Sequence, residues 1–385
     1  MLPALGVAAL LAAASAPAQL LTGSAQALPG TTPAKSIVGM AISLSYDGTV
    51  ALVGAPFTNS GQGAAYVYTK ANGVWSAPVA LILPSFVSST PNFGRSVALS
   101  SDGTLALIGA PFENSNAGAA YAYTLSSGSW SGPTALSVSG LSNLGEFGYS
   151  VALSATSTNW EALVGAPLSS GFKGGAYVYT LTSGAWSAPT ALSMTGVPSN
   201  AFLGWSVALE DATALVGAPG TSTSIGNAYL YTETSGTWSA PTALDNTGVS
   251  AGDSFGAAVA LTYTEALVGA PATASNTGAV YSYQFGSSSI YGPYPLGMTG
   301  VPSGGNFGDS VAIGSLAAVV GAPTANGTTG AAYFYGFART SGPTALDSTG
   351  VESGAQMGYA VALDGGGRFG PGRTRCHLQR LIGQS

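Results

Sequence analysis

Residues 93–146 read FGRSVALSSDGTLALIGAPFENSNAGAAYAYTLSSGSWSGPTALSVSGLSNLGE, and the pieces of this stretch recur in the same order along the chain. The clearest marker is the triplet Gly-Ala-Pro, which begins at Gly54, Gly109, Gly165, Gly217, Gly269 and Gly321. A unit of about fifty residues that recurs in this way is one supersecondary element, which buries its apolar face by stacking on copies of itself. The chain is therefore predicted to be one continuous repeat domain over residues 28–364.

Each copy predicts four β-strands. The first has the pattern FG-x-SVAL, with its leading residue at Phe93, Phe147, Leu203, Phe255, Phe307 and Met357. The second ends at Gly-Ala-Pro, the third reads GAAYVY, and the fourth follows a turn as WS-x-PTAL. The segments are short and rich in Val, Leu, Tyr and Trp, and Gly, Ser, Asn and Asp separate them. The second strand is apolar at nearly every position, which indicates a strand covered on both faces.

Four-stranded units of this length with both faces buried predict an all-β fold, a β-propeller. The motifs FG-x-SVAL, LVGAP and GAAYVY, in that order, resemble FG-GAP repeats, the units of the integrin α-subunit head and of many secreted bacterial proteins. The Trp-Ser and PTAL segment resembles the bacterial variety. The resemblance covers residues 37–364 and implies a seven-bladed propeller, of which this chain holds six full repeats and the first strand of a seventh.

The loops between the first two strands depart from the integrin-like pattern. Several integrin-like repeats carry an Asp-x-Asp-x-Asp-Gly calcium loop there, whereas the matching loops here have isolated acids such as Asp47 and Asp102, each followed by Gly. A calcium ion requires several oxygen ligands, so these two are predicted to be turn residues. No metal and no cofactor is predicted. Glu161 and Glu265, which precede the ALVGAP strands, are predicted to be solvated.

Both ends of the chain differ from the repeats. Residues 1–27 contain an apolar run, 5–16, and end in Ala-Gln-Ala, which predicts a signal peptide cleaved after Ala27 and a secreted or cell-surface protein. The run is too short to span a bilayer. Residues 365–385 form an aberrant basic tail with the only Cys and His. This tail is predicted to be disordered or out of frame, with a polyanion-binding arm as the alternative.

The incomplete seventh repeat leaves two arrangements open. The chain either leaves a wedge in a seven-bladed ring, with strand edges available for self-association, or closes with six blades and a spare strand. Charged residues are only 6% of the chain and the net charge is -6, without a basic stripe in the repeats, so nucleic acid is not a predicted partner.

The repeats hold neither His nor Cys, so an enzyme is not predicted. A glycoside hydrolase with paired carboxylates is the weaker alternative, and its candidate acids are Asp245, Asp253, Asp309, Asp347 and Glu352.

Strand parity places the variable loops, from strand two to three and from strand four to the next blade, on one face of the propeller. Residues that repeat in register are scaffold, and specific function is expected where the copies differ. The sequence predicts a non-enzymatic module that binds an extracellular protein or glycan there, through Phe112, Glu113, Asn114, Asn116, Phe172, Lys173 and Asp253. The alternative is a lectin-like domain with aromatic platforms at Trp205, Tyr149, Tyr291 and Tyr294.

Overall fold

The computed structural model describes residues 8–12, 28, 38–83, 90–139, 141, 144–220, 225–287, 289–336, 342–348, 351–364 and 378–382. The prediction of an all-β propeller is confirmed: six blades follow one another along the chain, each an antiparallel sheet of four strand positions. Helices within the described residues are single turns between the second and third strands, too short to cross a bilayer, at Thr58–Gly61, Glu113–Asn116, Ser169–Phe172 and Thr273–Asn276.

The strands occur in the predicted order within every blade. First strands are Ala41–Leu44, Ser96–Leu99, Ser150–Ala155, Ser206–Glu210, Ala258–Leu261 and Ser310–Ile313, followed by Ala360–Leu363 after the sixth blade. Second strands are Val50–Ala55, Leu105–Ala110, Trp160–Gly165, Thr213–Ala218, Glu265–Ala270 and Ala318–Ala322. Third strands are Ala64–Ala71, Ala119–Ser126, Ala176–Thr182, Asn227–Thr234, Ala279–Phe285 and Ala331–Tyr335.

The fourth, outer strand is continuous in some blades and split in others. It is continuous in blades two and five, at Ser129–Leu136 and Ile290–Pro295, and its described part in blade six is Thr344–Ala345. It is split in blades one, three and four, at Val74–Trp75 and Val79–Leu81, Ala185–Trp186 and Thr190–Ala191, and Thr237–Trp238 and Thr242–Ala243. Each split contains Ser-Ala-Pro, where the serine hydroxyl accepts a backbone N–H bond from the third strand, as from Thr69 to Ser76 at 3.0 Å. The serine hydroxyl takes the place of a ladder acceptor and interrupts the ladder there, whereas proline alone does not, since Pro133 and Pro293 lie within the continuous strands.

The repeated glycines join neighbouring blades. The amide of Gly94 donates to the carbonyl of Gly109 in the same blade at 3.0 Å. The α-carbon of Gly109 in turn packs on the carbonyl oxygen of Gly148 in the next blade, where a Cβ would overlap that oxygen. The hydroxyl of Ser96 donates to the same oxygen at 2.8 Å. The FG and Gly-Ala-Pro motifs are therefore two halves of one contact between blades, which explains why they repeat together.

The tyrosines of the third strand form a second connection. Tyr123, Tyr179, Tyr231, Tyr283 and Tyr335 each donate their hydroxyl to a backbone carbonyl that follows the outer strand of the preceding blade. The phenylalanine of the FG motif packs edge-on against the tyrosines of its own blade, as Phe93 does against Tyr121 and Tyr123. A blade boundary such as that of Phe93 and Tyr123 thus combines packed aromatic rings with one part-buried hydrogen bond.

First strands of successive blades lie side by side around a common axis, and Ala360–Leu363 lies between the first strands of blades six and one. Gly321 packs on the carbonyl of Gly358 as the other Gly-Ala-Pro glycines pack on their neighbours. The strand Ala360–Leu363 also pairs in parallel with Ala8–Ala12. Ala8–Ala12 in turn pairs antiparallel with Leu378–Ile382. The cleavage predicted after Ala27, and most of residues 365–385, lie outside the described residues.

Candidate functional site

One residue in each of the six blades, and one before the strand Ala360–Leu363, departs from the repeat at the axis. It directly follows the glycine of the FG motif, and we call these residues the axial residues: Met40, Arg95, Tyr149, Trp205, Ala257, Asp309 and Tyr359. All are partly exposed. They stand at the start of the first strand, which places them on the face that also carries the loops from strand two to three and from strand four to the next blade. We call it the loop face.

A tight turn presents each axial residue. In blade two, Asn92 and Gly94 both have positive φ, at 52° and 92°, and the amide of Arg95 donates to the carbonyl of Asn92 at 3.0 Å. An L-residue tolerates this left-handed conformation at a small cost, and Asn accepts it best. The same turn recurs before Tyr149, Trp205, Ala257, Asp309 and Tyr359. The backbone of the turn is thus constant, and it presents axial side chains that differ between the copies.

Four aromatic rings lie in sequence on the loop face. Phe172 contacts Phe202 edge-on, with ring centroids 6.1 Å apart. Phe202 is 6.3 Å from Trp205, and Trp205 is 4.7 Å from Tyr149. The guanidinium of Arg95 lies over the Tyr149 ring at 4.8 Å and donates to its hydroxyl at 3.2 Å. We call these four rings the aromatic row; it extends from a loop of blade three to the axis, and Arg95 ends it.

Gly220 makes room for the row. It directly follows the Gly-Ala-Pro triplet of blade four, where the other blades have Phe57, Phe112, Leu168, Ala272 and Thr324. A Cβ at Gly220 would overlap the ring of Phe202. Two departures from the repeat, a small residue at 220 and a large one at 202, therefore fit each other.

Two carboxyl groups lie close to Arg95. Burial raises the pKa of Asp309 to about 6, while the charge of Arg95 acts to lower it. Burial also raises the pKa of Glu146, again against an opposing effect of Arg95. Arg95 and Asp309 belong to blades two and six, so the axial residues of distant blades converge on one small region.

The predicted binding residues have different environments. Phe172 is 46% exposed and begins the aromatic row, and Lys173 beside it is partly exposed. Asn114 is exposed, and Phe112 and Asn116 are partly buried. Glu113 is buried and accepts hydrogen bonds from the Tyr121 hydroxyl at 2.7 Å. Asp253 is buried and accepts the amide of Ser250 at 2.7 Å, which closes a turn.

The four aromatic residues of the lectin-like alternative lie in two separate places. Tyr149 and Trp205 belong to the row, whereas Tyr291 and Tyr294 lie on the outer strand of blade five, 53% and 48% exposed. Among the acids considered for hydrolysis, Asp309 lies at the axis, and Asp245 is exposed in a local turn that Thr247 closes. Asp347 and Glu352 are exposed residues that precede the strand Ala360–Leu363.

The acids near the second strands also differ from expectation in part. Asp47 and Asp102 are turn residues, as predicted, and accept bonds from Thr49 and Thr104. The prediction of a solvated carboxylate is wrong for Glu161, which is 7% exposed because neighbouring blades cover the second strand. Burial, with the charges of Glu233 and Asp211, raises its pKa to about 7. In the described part of the chain, His, Cys, Asp and Glu side chains form no group of three that could hold a metal ion.

Comparison with known proteins identifies the repeat. The sequence model of the FG-GAP repeat family matches residues 78–123, which contain the FG motif at Phe93 and the triplet at Gly109. The chain is thus a β-propeller that contains an FG-GAP repeat. No curated protein matches the sequence of this FG-GAP propeller at a significant level.

The FG-GAP propeller is similar to solved structures at low sequence identity. Hydrazine synthase of Kuenenia stuttgartiensis is 12% identical with a TM-score of 0.54, over 94% of this chain and 98% of that one. The GH74 enzyme of Niastella koreensis is 15% identical with a TM-score of 0.49, over 80% of this chain and 46% of that one. At these identities the likeness concerns the fold alone.

Sequence reasoning found part of this site. It singled out Phe172, Tyr149 and Trp205 separately, but it did not connect them, and it missed Arg95 and Phe202 as partners. A signal was available, because the residue after each FG glycine varies inside an otherwise constant motif. The contact between rings that are distant in the chain could not be read from the motif, because it depends on how the blades converge at the axis.

Proposed function

We propose that this FG-GAP propeller is a secreted, non-enzymatic binding module that uses its loop face, with the aromatic row as the contact surface. The observation that supports it is the row itself. Four contiguous aromatic rings next to a guanidinium break the repeat on one face, and the other copies have small or polar residues where Phe172 and Phe202 stand. Aromatic side chains and arginine are the residues that most often dominate the energetics of binding surfaces.

A binding role fits the chemistry better than catalysis. Asp309 and Glu146 both lie near Arg95, but the acids raised as hydrolase candidates are distributed over several turns with local hydrogen-bond roles. Catalysis requires an acid, base or nucleophile held against a reacting atom. The row instead offers a broad apolar surface with a polar end, which suits recognition.

The test compares one double variant with a single-substitution control in one assay. Phe172→Ser with Phe202→Ser removes the outer half of the row, and the matched control is Phe57→Ser, a 40% exposed phenylalanine at the loop face of blade one. Labelled full-length protein is incubated with the washed surface of the producing cells, and bound protein is quantified. We expect the row variant to lose most of its binding and the control to retain it. Equal binding of both variants would exclude the row as the contact surface.

Secretion is tested separately from binding. We expect protein recovered from the culture medium to begin at residue 28, as N-terminal sequencing would show. Material that retains residues 1–27 would contradict the proposed export route, and the surface-binding assay would still report on the row.

A further inference from the structure

The polar end of the aromatic row has a defined charge. Arg95 is the cation there, and Asp309 and Glu146 are the acids whose pKa values respond to it. With both acids ionised the region carries one more negative than positive charge. An anionic ligand therefore meets repulsion from two carboxylates beside the one guanidinium.

A cationic ligand is disfavoured for a different reason. The face of Tyr149, which would attract a ligand cation, is already covered by the guanidinium of Arg95 at 4.8 Å. A second cation at this ring would lie against Arg95. The two carboxylates thus oppose an anion and Arg95 occupies the ring face that a cation would use, so a neutral ligand with hydroxyl groups fits this region best.

The remaining features match a neutral sugar chain. A pyranose ring has an apolar C–H face and a rim of hydroxyls that donate and accept hydrogen bonds. Phe172, Phe202 and Trp205 provide partly exposed aromatic surface for the apolar face. Arg95 provides donors and Asp309 acceptors at the axial end of the row. The row has four consecutive rings, with neighbouring centroids 4.7 to 6.3 Å apart, so it fits several consecutive sugar units better than a single one.

We infer that the aromatic row binds a neutral linear oligosaccharide, which lies along Phe172, Phe202 and Trp205 with its terminal unit hydrogen-bonded to Arg95 and Asp309. This inference rests on the proposed function, since it names the ligand class of the same surface. A peptide partner on the row is the competing outcome that the test must detect.

The experiment measures tryptophan fluorescence and calorimetric binding with the full-length protein. The probes are linear hexasaccharides of β-1,4-glucan, α-1,4-glucan and β-1,4-mannan, with the hexasaccharide of α-1,4-galacturonic acid as the acidic counterpart. We expect at least one neutral probe to bind and the acidic probe to bind at least about tenfold more weakly, a factor that corresponds to about 1.4 kcal/mol.

Two pairs of variants locate the ligand. Trp205→Ala is compared with Tyr294→Ala, which removes an exposed aromatic on the outer strand of blade five. Arg95→Met is compared with Lys70→Met, which removes another cation placed over an aromatic ring, 5.5 Å from Trp75. We expect Trp205→Ala and Arg95→Met each to weaken binding about tenfold or more, and the two controls to bind as the unmodified protein does.

The outcomes separate this inference from the proposed function. If no neutral probe binds but the row variant still loses cell-surface binding, the ligand is of another class and the inference fails while the binding module stands. If a sugar binds equally well to the Trp205→Ala and Tyr294→Ala variants, the ligand lies elsewhere and the inference fails. Release of shorter sugars from any probe would overturn the non-enzymatic role.

Discussion

Gly165 shows what the repeated triplet does at the scale of one residue. Its α-carbon faces the carbonyl oxygen of Gly204 in the next blade, and a Cβ there would overlap both that oxygen and the hydroxyl of Ser150. The carbonyl oxygen of Gly204 belongs to the backbone, so it cannot move away from a Cβ without a shift of the chain. We expect Gly165→Ala to lower the free energy of unfolding by at least about 1–3 kcal/mol, the usual range for overpacking.

A matched control separates overpacking from the loss of glycine itself. Gly336 has no atom within 4 Å of the position that a Cβ would take and no positive φ, so Gly336→Ala is expected to leave stability within about 0.5 kcal/mol of the unmodified protein. Urea unfolding measures both variants. Equal stabilities would show that the contact between blades adapts and that the triplet repeats for another reason.

Glu161 predicts how stability depends on pH. Its pKa is about 7 in the folded protein, against 4.5 for an unperturbed glutamate. The folded state therefore binds a proton that the unfolded state has released, and stability falls as pH rises from about 4.5 to about 7. At 1.36 kcal/mol per pKa unit the loss is on the order of 3 kcal/mol.

The variant Glu161→Gln tests this dependence. We expect it to remove most of the loss and to be more stable than the unmodified protein above pH 7, as unfolding at several pH values would measure. Glu265→Gln, at the same repeat position in blade five but partly exposed, is the control and should keep the original pH dependence. A pH profile that Glu161→Gln leaves unchanged would assign the effect to other groups.

Residue identity alone did not distinguish these two glutamates, because both precede ALVGAP. Burial of Glu161 depends on blade four, whose Asp211 and Glu233 also lie near it. Turn residues such as Asp47 and Asp102 were predictable, because their hydrogen bonds are to neighbours two residues away. Local chemistry can be read from a sequence, and contacts between blades cannot.

At the scale of the strand, the second tyrosine of the third strand connects two blades in blades two to six. Tyr179 is buried, and its hydroxyl donates to the carbonyl of Ser137 at 2.9 Å. Removing the hydroxyl leaves that carbonyl without this partner. We expect Tyr179→Phe to cost about 1–1.5 kcal/mol in unfolding free energy.

Tyr294→Phe is the control for this prediction, because Tyr294 is 48% exposed and water can replace its hydroxyl bonds. Chemical unfolding of both variants measures the difference. A cost as small for Tyr179→Phe as for Tyr294→Phe would show that the hydroxyl bond does not stabilise the blade boundary.

The strands themselves were predictable, since four apolar segments separated by turn residues recur in every copy. Splitting of the outer strand and the single-turn helices were not anticipated. The first follows from Ser-Ala-Pro, whose serine replaces a ladder bond, and the second contains left-handed residues such as Asn59 and Ser60 inside a four-residue turn. Both features depend on a few neighbouring residues, and neither the repeat period nor the overall amino-acid composition shows them.

At the scale of the whole molecule, the strand Ala360–Leu363 is the piece on which the ring depends. It lies between the first strands of blades six and one, and Val361 packs with Val319, Leu346 and Met357. A charge at position 361 would be buried without a partner, which costs several kcal/mol. Detaching this strand would also expose the edges of its neighbours to other chains.

We therefore expect Val361→Asp both to unfold at lower urea concentration and to sediment as larger species than the unmodified protein. Ser353→Asp adds the same charge at an exposed position before this strand and should change neither property. Sedimentation velocity and urea unfolding on the same samples make the comparison. If Val361→Asp lowers stability without forming larger species, the loss of stability comes from the apolar cluster alone and not from an opened ring. The edge of the sixth blade would then be protected from association without this strand.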